Sequence, residues 1–271
     1  MFDTQAVIMW SLAGVLGLFI GSYLNVVAWR WYRQDQQSPH QLGSRSKCPH
    51  CGKMLSWTEL VPIVSFIVQR GRCVKCKAQL GFRYPTVELT TAIIFASIVV
   101  VYGFHPISLL LLILASVFLV LALVDSETQL IPDRLSVIAL AVTAFSLVIL
   151  RVPNLLHRPI LLGLPTFEHG VVGALIGVGI LGSIVLVTKG RGMGIGDIKL
   201  AGVLGLSLGG PATLLALFTG FVSGAIVGLV LIQGKKASLK TAVPFGPFLV
   251  FGWLIAILWS TPIIAWYTGL N

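Results

Sequence analysis

Two aspartates, Asp125 and Asp197, stand out because the chain otherwise keeps nearly every charge outside its apolar segments. Asp125 ends one apolar segment, and Asp197 ends a run with glycine at alternate positions, GRGMGIGD at 190–197. Two carboxylates that meet in a setting of low dielectric are expected to share one proton. The ionised member can activate water while the protonated member polarises a peptide carbonyl. The pair therefore predicts an aspartic protease at a membrane–water boundary.

The composition predicts the fold class. The chain has 271 residues, of which 56% are hydrophobic and 10% charged, whereas soluble domains carry about 25% charged residues. A helix needs roughly 20 apolar residues to span the hydrocarbon. About eight apolar stretches approach or exceed that length, at 6–29, 86–103, 107–124, 134–150, 168–187, 198–210, 212–232 and 245–267. We therefore expect an all-α polytopic membrane protein with about eight transmembrane helices, the sixth of them short.

Basic residues indicate the orientation, because Lys and Arg accumulate in cytoplasmic loops. With eight alternating helices, all but two of the 19 Lys and Arg residues fall on one side, the exceptions being Arg151 and Arg158. This predicts an outer N-terminus, a large cytoplasmic loop after the first helix, and both aspartates facing the cytoplasm. A nucleic-acid surface is disfavoured, since the basic loop lacks interleaved aromatic residues.

All the cysteines lie in that loop as two C-x2-C pairs separated by residues 52–72. They are Cys48, Cys51, Cys73 and Cys76. Each pair can coordinate one metal ion through two thiolates on a tight turn. Four thiolates fill a tetrahedral site and leave no open position for a substrate. The pattern predicts a structural zinc knuckle, with His50 as a solvated residue. Two disulfides are the alternative, which the reducing cytoplasm disfavours.

Several acidic and basic side chains near the aspartates have simpler explanations. Asp133 follows Pro132 at a helix start, where a carboxylate meets the positive end of the helix dipole. Asp125 fits that explanation less well, because the C-terminal end of a helix disfavours negative charge. Asp197 could be only the N-cap of the sixth helix, and Lys199 only a cytoplasmic anchor. No window of the glycine run matches the dinucleotide pattern G-x-G-x-x-G.

Two other functions remain open from the residues alone. Ser207 lies in a G-x-S-x-G match at 205–209, and His157 or His169 could serve as its base in a serine intramembrane protease. Alternatively, Asp125 and Asp197 could be coupling sites of an ion-coupled transporter. Transporters usually place such sites near the midplane between internal repeats, whereas these aspartates lie at helix ends.

Six segments, in order along the chain, resemble the type IV prepilin peptidases, which are GxGD-type aspartic membrane proteases. They are GSYLNVV at 21–27, the cysteine pairs around LSW at 55–57 and VP at 61–62, RYPTVEL at 83–89, LIPD at 130–133, GIGDIK at 194–199, and PFGPF at 244–248. The chain departs from the family pattern in the residues after Arg30, and in a long proline-rich outer loop at 151–167.

The resemblance implies a bifunctional enzyme of the bacterial inner membrane. Its substrates would be type IV prepilins or type II secretion pseudopilins, cleaved on the cytoplasmic side after a glycine. Asp125 and Asp197 match the catalytic aspartates, whereas Asp133 matches neither. The new N-terminal residue would then be methylated with S-adenosylmethionine, for which the sequence shows no contact motif. The expected divisions are a first transmembrane helix at 1–29, a cytoplasmic zinc and methylation-associated loop at 30–85, and a peptidase core at 86–271.

Overall fold

The computed structural model describes residues 4–34, 46–48, 50–149, 165–234 and 243–269. These residues are almost entirely helical, and among them only isolated β-bridges pair in the loop after the first helix. The predicted all-α fold class is confirmed. Pro49, residues 150–164 with Arg151, His157 and Arg158, and the basic residues Lys235, Lys236 and Lys240 lie outside the described residues.

The helix bounds follow the predicted apolar stretches closely. In chain order they are α1 (Thr4–Gln34), α2 (Val64–Val68), α3 (Arg83–Tyr102), α4 (Pro106–Thr128), α5 (Asp133–Ile149), α6 (Phe167–Thr188), α7 (Ile195–Leu208), α8 (Gly210–Gln233) and α9 (Gly246–Thr268). A short 3₁₀ helix, Trp57–Leu60, precedes α2. Proline in the first turn begins α4, α8 and α9, as its fixed φ and missing N–H favour.

Six of the described helices are long and apolar enough to cross a membrane, namely α1, α3, α4, α6, α8 and α9. The chain is therefore a multi-pass membrane protein. At 17 and 14 residues, α5 and α7 are shorter than the roughly 20 residues that a perpendicular span requires. The predicted count of eight spans stays a prediction.

The chain divides into two compact units, Met1–Phe104 and His105–Asn271. The predicted division into three parts stays a prediction. In the first unit α1 packs along α3, and two glycines of α1 permit the close approach. A Cβ atom at Gly17 would lie 2.7 Å from the Cα of Ala92, and one at Gly21 would lie 2.8 Å from the Oγ1 of Thr91. Such small residues let membrane helices bring their backbones together.

In the described part of the loop between α1 and α3, an ion pair ties the turn at 48–53 to the 3₁₀ helix. The Lys53 ammonium lies 2.9 Å from a carboxylate oxygen of Glu59. The backbone N–H of Ser56 donates to the same carboxylate at 2.9 Å. The hydrogen bonds from the Ser56 N–H and from the Lys53 ammonium, in that order, lower the pKa of Glu59 to about 2. Further along, Trp57 and Val68 are largely exposed, whereas Pro62 is buried and the ring of Phe66 packs against Phe82.

In the second unit, α7 packs against four other described helices. It packs on α5, α6, α8 and α9, while α4 packs on α5 and α9. On the α6 side, glycines meet directly, because a Cβ atom at Gly173 would strike the backbone of Gly205 and one at Gly177 would strike that of Ala201. On the α9 side, the ring of Trp253 packs edge-on against Phe118 of α4.

A single residue separates α7 from α8. Gly209 has a φ of +78°, in the left-handed region where glycine avoids the steric cost of a side chain. The short α7 can therefore end and α8 begin at once, which keeps both helices in the same packed unit.

Replacing Gly173 with alanine should destabilise the protein, because the new Cβ has no room against α7. Overpacking of this kind typically costs about 1–3 kcal/mol. Gly179→Ala is the matched control on the same helix, since a Cβ there meets nothing within 4 Å. Thermal unfolding of the purified proteins in detergent should show a lower midpoint for Gly173→Ala alone. Equal midpoints would contradict the proposed close contact between α6 and α7.

Candidate functional site

Asp125 lies in the last turn of α4 and is 4% exposed. The backbone N–H of Gly246 donates to its Oδ2 at 2.9 Å. Gly246 is the first residue of α9, and the first N–H groups of a helix have no partner within the helix. The start of α9 therefore supplies a hydrogen bond and the positive end of a helix dipole to the Asp125 carboxylate.

Asp197 lies in the first turn of α7 and is 8% exposed. The backbone N–H of Gly194 donates to its Oδ2 at 3.2 Å, and the Asp197 backbone N–H donates to the Gly194 carbonyl. Asp197 is thus not the N-cap residue, which is Gly194. Its carboxylate reaches back over the start of the helix, an arrangement that the dipole favours.

The packing of α4, α7 and α9 brings the two carboxylates into one region of the second unit. Gly246 at the start of α9 contacts Asp125, and α9 also packs on α7, which carries Asp197. Asp125 is close enough to Asp197 to act on it electrostatically. Two nearly buried carboxylates, each held by one backbone N–H, are suited to sharing a proton and to acid–base chemistry on a bound peptide.

Two glycines near this pair have no room for a side chain. A Cβ atom at Gly246 would lie 2.7 Å from the Oδ2 of Asp125. A Cβ atom at Gly196 would lie 2.9 Å from the Cβ of Ile131, so the segment before α5 presses against the start of α7. Sequence reasoning gave Gly246 no role. The sequence feature that could have indicated its role is a glycine flanked by Pro244 and Pro247 at the start of an apolar helix.

Asp133 and Lys199 form an ion pair beside the site, with 2.6 Å between the Asp133 Oδ1 and the Lys199 Nζ. Asp133 begins α5, as predicted, and its side chain is 77% exposed. The pair therefore links α5 to α7 at the surface, and Asp133 differs clearly from the two buried aspartates.

The residues of the alternative serine site have other partners. The Ser207 hydroxyl donates to the Leu204 carbonyl and accepts a hydrogen bond from the Nε1 of Trp253, at 2.9 Å. His169 bonds through Nδ1 to the hydroxyl of Thr166 at the start of α6. His157 lies outside the described residues. Within the part of the chain that the structure describes, Ser207 is thus a buried helix residue engaged with tryptophan.

In the first unit, the cysteines converge as the spacing predicts. Their sulfur atoms all lie within 4.8 Å of one another, and all are free thiols. The Sγ atoms of Cys48 and Cys76 are 3.9 Å apart. Four sulfurs this close match the donor set of a tetrahedral metal site.

The two cysteine pairs sit on matching turns. The backbone N–H of Cys48 donates to the Lys53 carbonyl, and that of Cys73 donates to the Ala78 carbonyl. The fourth residue after each of these cysteines has a positive φ, +67° at Gly52 and +56° at Lys77. In the second turn, the N–H groups of Cys76 and Lys75 lower the pKa of Cys73 to about 6, which favours the thiolate that binds metal. His50 is exposed.

Comparison with known proteins agrees with this architecture. A family model described as "Bacterial Peptidase A24 N-terminal domain" matches residues 15–102, and one described as "Type IV leader peptidase family" matches residues 112–229. The first match covers the cysteine cluster, and the second covers both buried aspartates.

Several curated relatives share the name "Prepilin leader peptidase/N-methyltransferase". The protein of Pseudomonas putida is 34% identical over 94% of this chain and 92% of its own length. Those of Aeromonas hydrophila and Bacillus subtilis are 33% and 30% identical, over 95% and 96% of this chain and 93% and 98% of their own lengths. No solved structure matches the chain significantly. The predicted resemblance is confirmed, and the chain belongs to the type IV leader peptidase family.

Proposed function

We propose that this protein cleaves the leader from type IV prepilins or pseudopilins and then methylates the new N-terminal amine. The observation that supports the peptidase half is that two nearly buried aspartates, Asp125 in the last turn of α4 and Asp197 in the first turn of α7, lie close enough to interact electrostatically. The names of the curated relatives support both halves.

In the proposed cleavage, the two aspartates hold one proton between them. The ionised carboxylate takes a proton from water, whose oxygen attacks the scissile carbonyl carbon, while the protonated carboxyl donates to the carbonyl oxygen. The C–N bond of the resulting tetrahedral intermediate then breaks, and the leaving nitrogen takes up a proton. The products are a leader with a new carboxylate and a mature chain with a free amine.

The backbone at Gly246 and Gly194 would keep the carboxylates in place during these proton transfers. Each N–H fixes one oxygen of its aspartate, so the carboxylates need little rearrangement when charge moves between them. Such preorganised hydrogen bonds are a major source of catalysis in sites that exclude water.

We place the protein in the bacterial inner membrane with both aspartates and the cysteine loop on the cytoplasmic side. The support is the distribution of basic residues. Among the described residues, Arg134 lies at the start of α5, Lys189 follows the end of α6, and Lys199 lies near the start of α7. With alternating helices, these positions fall on the same side as the end of α4, which carries Asp125, and the start of α7, which carries Asp197. Cleavage would then occur before the mature segment leaves the cytoplasmic face.

The four cysteines would bind one zinc ion with a structural role. Four thiolates leave no open coordination position for a substrate. A metal there would tie together two turns that are separated in sequence by the 3₁₀ helix and α2. S-adenosylmethionine would supply the methyl group of the second reaction.

Substitution of either aspartate should abolish leader removal. Asp125→Asn and Asp197→Asn each remove one acid–base group, and such groups contribute about 100-fold to 10,000-fold to rate. The intact mass of a co-expressed prepilin reports cleavage and methylation together. Asp133→Asn and Ser207→Ala are the controls, since Asp133 is exposed and Ser207 is bonded to Trp253. A processed pilin with an aspartate variant, or an unprocessed one with Ser207→Ala, would contradict the proposal.

Gly246→Ala should slow cleavage while leaving the protein folded, because the added Cβ displaces the Asp125 carboxylate. A displacement of about 1 Å can cost about 100-fold in rate. Gly228→Ala in α8 is the control, since a Cβ there meets nothing within 4 Å. Cleavage rates of purified enzymes check the effect, and equal rates would show that the contact between Gly246 and Asp125 has no role in catalysis.

The purified protein should contain about one zinc ion per chain. Cys73→Ser should lose most of this zinc, because three thiolates remain, whereas His50→Ala should retain it. Elemental analysis by mass spectrometry measures the metal directly. Equal zinc in Cys73→Ser and wild type would exclude the four-cysteine site.

A further inference from the structure

A polar cluster lies between α1 and α3 in the first unit, away from the cysteines in sequence. It consists of Ser22 and Asn25 on α1 and Glu88 on α3. Asn25 is 2% exposed and Glu88 is 6% exposed. Both lie in helices that are long and apolar enough to cross a membrane. Ionisable and polar side chains in such helices are costly and mark functional positions.

Glu88 receives hydrogen bonds from two directions. The backbone N–H of Ile63 in the loop donates to its Oε2 at 2.8 Å, and Ser22 bonds to the same side chain. Ile63 has a φ of +59°, which is strained for a β-branched residue. Strained backbone of this kind persists where the surroundings hold it, and it clusters at functional sites. The bond to Glu88 satisfies the Ile63 amide in this conformation.

Asn25 has one satisfied and one unsatisfied polar atom. Its Nδ2 lies 3.4 Å from the carbonyl oxygen of Tyr84, to which it donates. Its Oδ1 is buried and has no hydrogen-bond donor among the described residues. Exchange of the two amide atoms would set the oxygen against the Tyr84 carbonyl, so the amide orientation is fixed. A buried acceptor without a donor costs the full desolvation penalty of that atom.

The helix packing explains why these groups are near one another. Gly21 lets α1 approach α3, since a Cβ atom there would lie 2.9 Å from the Cα of Glu88. Asn25 lies one turn further along α1, next to Tyr84, which lies one turn before Glu88 on α3. A carboxylate and an unpaired amide oxygen therefore occupy adjacent turns of one helix pair, at the end where the cysteine loop joins it.

We propose that Asn25 Oδ1 and the Glu88 carboxylate bind a primary ammonium group during methylation. An ammonium carries three N–H donors and a positive charge, which satisfy the orphan acceptor and neutralise the buried carboxylate. The inference rests on the methylation half of the proposed function. Two ammonium groups fit this chemistry: that of the amino-acid moiety of S-adenosylmethionine, and that of the mature pilin N-terminus. The pilin ammonium would pass one proton to the Glu88 carboxylate before its nitrogen attacks the methyl group.

Binding to purified full-length protein tests the proposal and separates the two sources. S-adenosylhomocysteine carries the same amino-acid moiety as the methyl donor. A peptide with the mature pilin N-terminus carries the other amine, and its N-acetylated form is the matched control that lacks it. Glu88→Gln and Asn25→Leu should each weaken one of these probes by about tenfold or more, as expected for loss of a charge-assisted hydrogen bond. Thr91→Val is the control variant, since the Thr91 hydroxyl donates only to the Val87 carbonyl of its own helix.

Stability distinguishes a binding role from a structural one. Asn25→Leu removes an unsatisfied buried oxygen at the cost of one long hydrogen bond, so its melting temperature should equal or exceed that of wild type. Loss of ligand binding without loss of stability is the signature of a functional polar group. Continued leader cleavage by the same variant shows that the protein is folded.

The binding results identify which of the two ammonium groups the site takes. Weaker S-adenosylhomocysteine binding assigns the site to the methyl donor, and weaker binding of the free-amine peptide alone assigns it to the pilin. If both variants bind both probes within about twofold of wild type, or if wild type cleaves pilin but binds neither probe, the ammonium site is wrong. A wild-type enzyme that leaves prepilin uncleaved instead overturns the proposed function.

Discussion

The second unit depends on how closely α4, α7 and α9 approach one another at one end. A carboxylate buried in a membrane protein is stable only where hydrogen bonds or a shared proton offset its desolvation. Here Gly246 and Gly194 offer the unpaired N–H groups of two helix starts, and the absence of a side chain at Gly246 lets α9 touch the Asp125 carboxylate. On the opposite side of α7, the contact of Gly173 with Gly205 fixes that helix against α6. The geometry of the pair is thus set by backbone contacts.

In the first unit, the feature that needs explaining is how the cysteine loop is held in place. Few of the described loop residues are buried, and local hydrogen bonds order its turns. Two matching turns bring the four thiols together, and the hydrogen bond from Ile63 to Glu88 attaches the loop to α3. This attachment connects the cysteine loop with the buried polar cluster of α1 and α3. The same unit is therefore suited to holding a small charged ligand, while the acid–base pair lies in the other unit.

Local features of the sequence were enough to predict much of this. The apolar runs gave the helix bounds to within a few residues, because membrane helices must satisfy their backbone hydrogen bonds internally. The C-x2-C spacing predicted the thiol cluster, since each turn is local. The bond from Gly246 to Asp125, the orphan oxygen of Asn25 and the ion pair between Asp133 and Lys199 could not be predicted in this way. The two bonds join residues far apart in sequence, and the burial of the Asn25 oxygen comes from the contact of α1 with α3. All of them depend on helix packing that hydrophobicity does not encode.

The central claim is that Asp125 and Asp197 act as one acid–base unit. Its most direct test is kcat/KM for leader cleavage by purified Asp125→Asn, Asp197→Asn and the double variant. Groups that act together in one step are not additive, so removing both costs little more than removing one. We predict that each single variant loses at least about 100-fold and that the double variant loses no more. A single variant within about tenfold of wild type, or losses that multiply in the double variant, would contradict the account.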